Sequence, residues 1–371
     1  MTTTINNEHK KLNVPNLRFP EFQGEWEKCK LGDYGKVVTG NTPPTKDIEN
    51  YENGTYLWAS PADLGTIKSI TETKTMLSAQ GFSKTRTLPK GSVLVTCIGS
   101  TIGKAGMATK EMSTNQQINS IVVNDNNDNE FVYYAIQSAF PRYLSSIAVQ
   151  AVPIISKSAF EILPNNRPYL QEQKKIGKFL SLLDERITTQ NKIIDKLQSL
   201  IKGIADKLFQ TARTTKPLLE FAPNITSGTD KSGSGTIPLY GSTGIIGTVK
   251  NASQKGNIVL VARVGTIGTV QYVNEPCGVS DNALIVEAGE MTKYIYHFLK
   301  TYNFACITSG TTQPLITASS LKKAAIPTYD FESQTRIVLC LNGLEKKLDI
   351  AKQYLSEIAV MKQYLLRQMF V

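Results

Sequence analysis

Apolar residues recur at alternating steps of four and three positions through residues 171–209, QEQKKIGKFLSLLDERITTQNKIIDKLQSLIKGIADKLF. This is the 3.5-residue repeat of a coiled-coil seam, in which only Gln190 is polar. The seam runs through Ile176, Leu180, Leu183, Ile187, Gln190, Ile194, Leu197, Ile201, Ile204 and Leu208. The pattern therefore predicts a single helix, roughly 58 Å long at 1.5 Å per residue.

The same seam returns 161 positions later, in residues 332–370, ESQTRIVLCLNGLEKKLDIAKQYLSEIAVMKQYLLRQMF. It runs through Ile337, Leu341, Leu344, Leu348, Ala351, Leu355, Ile358, Lys362, Leu365 and Met369. A narrow apolar stripe on so long a helix needs a partner, and the other copy is the simplest one. Because the termini of a domain often lie close together, we expect an antiparallel pair with one globular segment at each end.

Short apolar runs separated by Gly, Pro and Asn turns predict a β-rich domain before each helix. The order of parts is repeated, which indicates an internal duplication. The matched pieces are VTG and TSG (38–40, 226–228), WAS and YGS (58–60, 240–242), TIG and TIG (101–103, 266–268), and PII and PLI (153–155, 314–316).

The predicted fold is therefore α+β, with two β-rich domains separated by two long antiparallel coiled-coil helices and an internal pseudo-two-fold axis. The predicted boundaries are 1–170 for the first domain, 171–211 for the first helix, 212–331 for the second domain and 332–371 for the second helix.

Composition narrows the function further. The formal net charge of +10 and the pI near 9.2 favour polyanionic partners. A polar N-terminus and the lack of an apolar run of about 18 residues predict a cytoplasmic protein that does not enter a membrane. The five cysteines are scattered, with no C-x-x-C pair, and fit reduced thiols.

No motif in the chain predicts a catalytic centre. The run GSTIGKAG at 99–106 lacks the spacing of a phosphate-binding loop, and Ala105 follows Lys104 where such a loop needs Ser or Thr. His9 and His297 are the only histidines, which leaves little for a catalytic triad or a His-rich metal site. We expect no catalytic residue, metal or cofactor in this chain.

Two domains with the same order of parts but different loop residues suit a target with two separated parts, such as the half-sites of a DNA duplex. Polar side chains at the matched loops are the candidate reading residues, since Gln and Asn amides pair with adenine edges and Asp accepts from cytosine. Each could instead be a turn residue bonded to nearby backbone, and Trp58 and Tyr240 fit structural anchors better than base-stacking groups. The candidates are Ser100, Thr101, Lys104, Gln116, Gln117 and Gln150 in the first domain, and Tyr240, Ser242, Arg263, Thr266, Asp281, Asn282, Thr312 and Gln313 in the second.

The duplicated layout, the opening PNLRFPEFQGEWEKCKLGD, the TIG turns and the helix endings KLF and RQMF resemble the specificity subunit of type I restriction-modification systems. The resemblance covers residues 15–371. It implies two target recognition domains that each read half of a bipartite, asymmetric site in double-stranded DNA. It also implies paired helices that act as a ruler and dock two modification (methyltransferase) subunits.

The resemblance further implies that restriction (translocase/nuclease) subunits join the complex, and that S-adenosylmethionine, ATP and Mg²⁺ act in partner subunits. One departure is the aromatic entry at 19–26, which has no clear second copy before Leu219.

Two alternatives remain on the sequence alone. A coiled-coil protein-binding adaptor would retain no DNA at low salt. A fused DNA methyltransferase or nuclease would transfer methyl groups or cleave DNA as the purified chain.

Overall fold

The computed structural model describes residues 12–65, 67–146, 153–212, 214–310 and 314–371. The chain divides into two compact units. Unit 1 comprises Met1–Gln190 with Leu355–Val371, and unit 2 comprises Asn191–Tyr354. Each unit contains a sheet-rich globular part together with portions of both long helices.

Unit 1 is built mainly from short strands. Its strands are β1 (Glu27–Lys30), β2 (Gly35–Thr39), β3 (Tyr56–Ala59), β4 (Ser69–Ile70), β5 (Thr75–Leu77), β6 (Thr87–Leu88), β7 (Val93–Thr96), β8 (Ala105–Ala108), β9 (Met112–Thr114), β10 (Ile118–Val123) and β11 (Pro164–Arg167). Its shorter helices are α1 (Ala79–Ser83), α2 (Asn129–Ser146) and α3 (Lys157–Glu161), and the long helix α4 (Leu170–Gln210) begins in it. The main sheet has the order β2-β10-β7-β8-β4, a second sheet has β5-β3-β9-β6, and β1 pairs with β11.

Unit 2 repeats this plan with shorter connections. Its strands are β12 (Thr214–Pro217), β13 (Thr226–Ser227), β14 (Ile237–Tyr240), β15 (Ile245–Val249), β16 (Ile258–Ala262), β17 (Val270–Val273), β18 (Gly278–Val279), β19 (Ala283–Val286) and β20 (Ala325–Thr328). Its helices are α5 (Thr292–Leu299), α6 (Ala318–Lys322) and the start of the long helix α7 (Phe331–Gln368). The sheets have the orders β13-β19-β16-β17 and β15-β14-β18, and β12 pairs with β20.

The central strands are buried on both faces, which explains their unbroken apolar sequence. Side chains alternate between the two faces of a strand. In β16, Val259 and Val261 therefore join the core that includes the long helices, while Ile258 and Leu260 join a second core on the other face. In β7, Val93 and Leu94 divide between two cores in the same way. Each main sheet thus holds its unit's two cores together.

Backbone hydrogen bonds confirm the predicted duplication and correct one of its matches. Gly40 N donates to Ile118 O at 3.1 Å, and Gly228 N donates to Ala283 O at 3.1 Å, as the VTG and TSG match requires. The alignment of WAS on YGS is wrong by one residue. Asn115 N donates to Ala59 O and Ser280 N to Tyr240 O, both at 2.9 Å, so Tyr240 corresponds to Ala59 and not to Trp58. Two aromatic residues in similar strands had suggested the false register.

Both long helices form where the apolar repeat predicts them, and their ends differ from the predicted ones by at most three residues. None of the predicted seam positions is exposed in either helix. Gln190, the polar seam residue of the first helix, is itself buried. The seam prediction is therefore confirmed.

The helices pack with their ends reversed, as an antiparallel pair requires. In unit 1, Ile176 and Leu180 near the start of α4 share a core with Leu365 near the end of α7. In unit 2, Phe209 at the end of α4 shares a core with Ile337 near the start of α7. Each globular part therefore closes on the beginning of one helix and the end of the other.

The aromatic entry makes unit 1 different from unit 2. Trp26 is 3% exposed, and its ring lies edge-on to Phe131 and to Phe370 at the end of α7. The strand after the entry does have a second copy, since β12 pairs with β20 as β1 pairs with β11. The described part of the chain contains no helix long and apolar enough to cross a membrane.

Candidate nucleic-acid interface

Three segments of unit 1 that are distant in sequence meet beyond the end of β7. Cys97 N donates to Gln117 O at 2.8 Å, and Ile155 N donates to Cys97 O at 2.8 Å. Cys97 therefore lies between the polar loop that precedes β10 and the segment that precedes α3. We call this arrangement, Cys97 with residues 115–117 and 153–155, the first frame.

Unit 2 builds the same arrangement with different side chains. Arg263 N donates to Asn282 O at 3.0 Å, and Ile316 N donates to Arg263 O at 3.0 Å. Arg263 with residues 280–282 and 314–316 is the second frame. Arg263 therefore takes the place of Cys97, although the sequence match of the TIG turns aligns it with Ile98. The difference arises because the first turn is one residue longer.

The repeated TIG glycine closes the turn beside each frame. Gly103 has φ +89° and Gly268 has φ +79°, a region that L side chains rarely adopt. A Cβ on Gly103 would stand 2.6 Å from the Phe140 ring, and one on Gly268 would stand 2.7 Å from the Phe304 ring. Backbone conformation and close packing therefore both require glycine at the two positions.

The two glutamines of the first frame have different roles. Asn115 Oδ1 accepts from Gln117 N, and Asn115 Nδ2 donates to Gln117 Oε1, both at 3.0 Å. Gln117 is therefore held within its own loop, as the turn-residue alternative describes. Gln116 is exposed, and its Oε1 accepts a hydrogen bond from the Thr42 hydroxyl. That bond orients the amide so that its NH₂ group stays available to a ligand.

Asp281 and Asn282 occupy the matching loop of the second frame. Asn282 N donates to Ser280 Oγ at 3.4 Å, which repeats the turn formed by Asn115 and Gln117. Both side chains are exposed, and neither bonds to a residue in the described part of the chain. The second loop therefore presents a carboxylate and an amide where the first presents Gln116 and Gln117.

The remaining candidates lie around these loops. Ser100, Lys104 and Thr266 are exposed, and Thr101 is half-buried. The Lys104 side chain runs past Gly65, where an added Cβ would be 2.9 Å from Lys104 Cδ. Gln150, Thr312 and Gln313 lie outside the described residues.

Tyr240 and Ser242 lie beside the second frame. The Tyr240 hydroxyl donates to Glu275 Oε1 at 2.7 Å. Burial, together with that carboxylate, raises the pKa of Tyr240 to about 12, so the hydroxyl stays protonated at neutral pH. Ser242 Oγ would be 3.8 Å from a Cβ on Gly265, which puts Ser242 next to the glycine turn. Tyr240 thus fits the structural anchor that the sequence suggested.

Arg263 is the unusual member of the second frame. Its side chain is half-buried, and its Nε is fully buried without a hydrogen-bond partner among the described residues. Cys97, which takes this place in unit 1, is 1% exposed and belongs to the core. A guanidinium has therefore replaced a core thiol at the base of the second loop.

Sequence reasoning missed three polar residues beside the first frame. Besides Thr42, these are Asn41, whose Oδ1 accepts from Arg86 N at 2.8 Å, and Arg86, whose Nη1 donates to Thr39 O at 2.8 Å. Asn41 and Thr42 directly follow Gly40, one of the repeated glycines, so that repeat could have pointed to them. Arg86 belongs to no repeated piece and is brought in only by the fold.

A family model described as "Type I restriction modification DNA specificity domain" matches residues 23–199 and 215–360. The chain belongs to this family. Its two matched segments correspond to the two copies of the duplication.

Curated relatives match about half of the chain. The chain is 30% identical over 182 residues to the type I restriction enzyme MjaIX specificity subunit of Methanocaldococcus jannaschii, covering 47% of this chain and 42% of that protein. It is 29% identical over 186 residues to the HindI specificity subunit of Haemophilus influenzae, covering 47% and 40%. The chain thus spans less than half the length of these relatives in each match.

A solved structure matches nearly the whole fold of this family member. The S subunit of a type I restriction-modification system from M. genitalium aligns with a TM-score of 0.68 and 20% identity, covering 96% of this chain and 99% of that one. At this identity the likeness shows the fold alone.

Proposed function

We propose that this chain is the DNA-recognition subunit of a type I restriction-modification complex, in which each unit reads one half of a bipartite, asymmetric site. The observation that carries the proposal is the duplicated frame with unlike side chains. The backbone bonds of Cys97 and Arg263 are the same, whereas Gln116 in one loop is replaced by Asp281 in the other. A shared backbone with different polar groups suits two readers of two different sequences.

The chemistry of the exposed groups fits base recognition. The Gln116 amide can pair with an adenine edge, and Asp281 can accept from the amino group of cytosine. Phosphate contacts would come from Lys and Arg, whose excess over Asp and Glu gives the chain its net charge of +10. We assign recognition to residues 1–170 and 212–331, and the two long helices to 171–211 and 332–371.

The long helices would dock two modification subunits, with restriction subunits joining the complex. Exposed apolar side chains outside the seam support this part of the proposal. Ile193 is 43% exposed and Tyr354, 161 positions later, is 42% exposed; Leu200 and Met361, also 161 apart, are 50% and 51% exposed. An apolar surface that occurs twice in the same register suits two copies of one partner.

We further propose that the chain itself is non-catalytic and that S-adenosylmethionine, ATP and Mg²⁺ act in the partner subunits. Burial raises the pKa of Cys97 to about 12 and that of Cys277 to about 11, so neither forms a thiolate nucleophile at neutral pH. His297 is buried and its Nε2 lies 2.9 Å from Asn342 Oδ1, which engages the ring in packing the helices.

Mapping methylated adenines tests the proposal. Cells carrying this chain with its modification subunits should methylate a bipartite motif. Gln116→Ala should relax base preference in one half of the motif and Asp281→Ala in the other, because the two residues belong to different readers.

Gln198→Ala, on the exposed side of α4, is the matched control and should leave the motif unchanged. Relaxation of both halves by either variant would contradict the two-reader proposal. Methyl transfer or cleavage by the purified chain alone would show that it is an enzyme.

A further inference from the structure

We infer that Arg263 reads a guanine in the half-site recognised by unit 2, and that the first half-site is read without an equivalent cation. The inference rests on the proposed function and names one base and one residue for it. Its basis is the place of Arg263 in the second frame and the missing partner of its guanidinium.

The backbone of Arg263 is hydrogen-bonded on both sides, so the fold fixes the position of its Cα. Its N donates to Asn282 O and its O accepts from Ile316 N, both at 3.0 Å. The residue follows β16, which is buried along its whole length. The Arg263 side chain is therefore attached at the end of a rigid strand. A residue that distinguishes bases needs such a support to hold its geometry.

The charge of Arg263 is not neutralised within the described part of the chain. None of the ion pairs formed there includes it, and its buried Nε lacks an acceptor. Leaving a buried donor of a charged group unpaired is costly. An external acceptor that faces the loop would supply the counter-charge that the guanidinium lacks within the described part of the chain.

Guanine fits this position better than a phosphate does. The planar guanidinium pairs in a bidentate manner with O6 and N7 of guanine, which are both acceptors. Asp281 stands exposed on the same loop, one residue before Asn282. Its carboxylate repels a phosphate but accepts from the amino group of cytosine. Arg263 and Asp281 together thus offer the donors and the acceptor that a G·C pair requires.

The first frame cannot read a base in this way. Cys97 takes the place of Arg263 and is buried in the core, and Gln116 takes the place of Asp281. The substitution of a core thiol by a guanidinium is therefore a specificity difference between the two units.

The test uses the complex of this chain with its own modification subunits. Methylation mapping should find a G·C pair in the half that Asp281→Ala relaxes, and Arg263→Gln should relax that half alone, by about 5- to 150-fold in discrimination against other base pairs. The unaffected half reports that the variant is folded. Arg336→Gln, an exposed arginine of α7, is the matched control and should leave both halves unchanged.

Duplexes carrying 7-deazaguanine at the identified position separate a base contact from a phosphate contact. Wild-type complex should bind this duplex about tenfold more weakly than the natural one, because one hydrogen bond to N7 is lost, whereas Arg263→Gln should bind the two equally. If Arg263→Gln instead weakens binding to every duplex alike and lowers the salt dependence by about one ion, Arg263 contacts a phosphate and the inference is wrong.

The inference and the proposed function fail in different ways. If the wild-type complex methylates no bipartite motif, the proposed function is wrong. If it methylates such a motif but the relevant half lacks a G·C pair, or Arg263→Gln leaves that half unchanged, only the role of Arg263 is overturned.

Discussion

Replacing Lys362 by methionine is expected to destabilise unit 1 by about 1.5–3 kcal/mol. Lys362 occupies a seam position of α7, where every other member of that seam is apolar. Its Nζ donates to Asp184 Oδ1 at 2.6 Å, and Asp184 also accepts from the Tyr134 hydroxyl. Methionine keeps the aliphatic stem and removes the charge, so the change tests the ion pair together with the contact between Nζ and the Tyr134 ring, whose centroid lies 5.6 Å away.

The magnitude follows from burial. The side chains of Lys362 and Asp184 are 14% and 16% exposed, so solvent screens their interaction only weakly. Without Lys362, the Asp184 carboxylate keeps one hydrogen bond, from Tyr134, and loses its only counter-charge among the described ion pairs. The estimate corresponds to one charge-assisted hydrogen bond, and it is smaller than the about 3–5 kcal/mol of a fully buried pair.

Tryptophan fluorescence during urea unfolding measures this effect in unit 1. The chain has two tryptophans, Trp26 and Trp58, and both belong to unit 1. With a urea dependence of about 2 kcal/mol per molar, the midpoint should fall by about 1 M. Lys178→Met, at an exposed position of α4 in unit 1, removes the same charge and should change the unfolding free energy by less than about 0.5 kcal/mol.

A double variant provides the decisive comparison. Asp184→Asn combined with Lys362→Met removes both charges, so it should cost at least about 1 kcal/mol less than the sum of the single changes. Purely additive costs, or a Lys362→Met protein as stable as the wild type, would show that the pair does not stabilise the helix contact.

Two further predictions concern the glycine turn and His297. Gly103→Ala should lower the unfolding free energy of unit 1 by about 2–4 kcal/mol, because φ is +89° and the new Cβ would meet Phe140. Gly99→Ala, where φ is +87° but the space around the Cβ is open, should lower it by about 1–2 kcal/mol, from backbone strain alone. Equal losses for the two variants in the fluorescence assay would refute the packing argument. Burial, reinforced by Lys300 and Lys293 and opposed by Asn342 and Glu345, lowers the pKa of His297 below 6.5. The unfolded state therefore takes up the proton first, and stability is lost as pH falls below about 6.5. Amide exchange in α5 should show a loss of at most about 1.4 kcal/mol between pH 7.5 and 5.5 that His297→Gln abolishes, and a loss unchanged in that variant would assign it to other groups.

The long helices and the duplication could be predicted from the sequence because both depend on local or repeated patterns. An apolar stripe with a 3.5-residue period specifies a helix and its buried side without knowledge of the partner. Ile176 and Leu180 could therefore be recognised as seam residues, and they are buried. The TIG glycines were also recognisable. Both positions have a positive φ and an aromatic ring packed against the Cα, so both copies of the turn must carry glycine there and the motif repeats in the sequence.

The composition of the frames was decided by tertiary structure. Strand pairing between distant segments leaves no periodic trace, so a shift of one residue cannot be seen in the chain alone. Cys97 therefore aligned with Ala262 by sequence offset, although its backbone bonds place it with Arg263, and Tyr240 aligned with Trp58 instead of Ala59.

The sequence by itself determined two β-rich parts, two long helices and the loops where their polar residues lie. Only the fold decided that Gln117 is tied to Asn115, that Gln116 stays exposed beside Thr42, and that the charge of Arg263 lies half-buried. The physical reason is that secondary structure follows from neighbours along the chain, whereas the exposure and partners of a polar side chain depend on segments that meet only after folding.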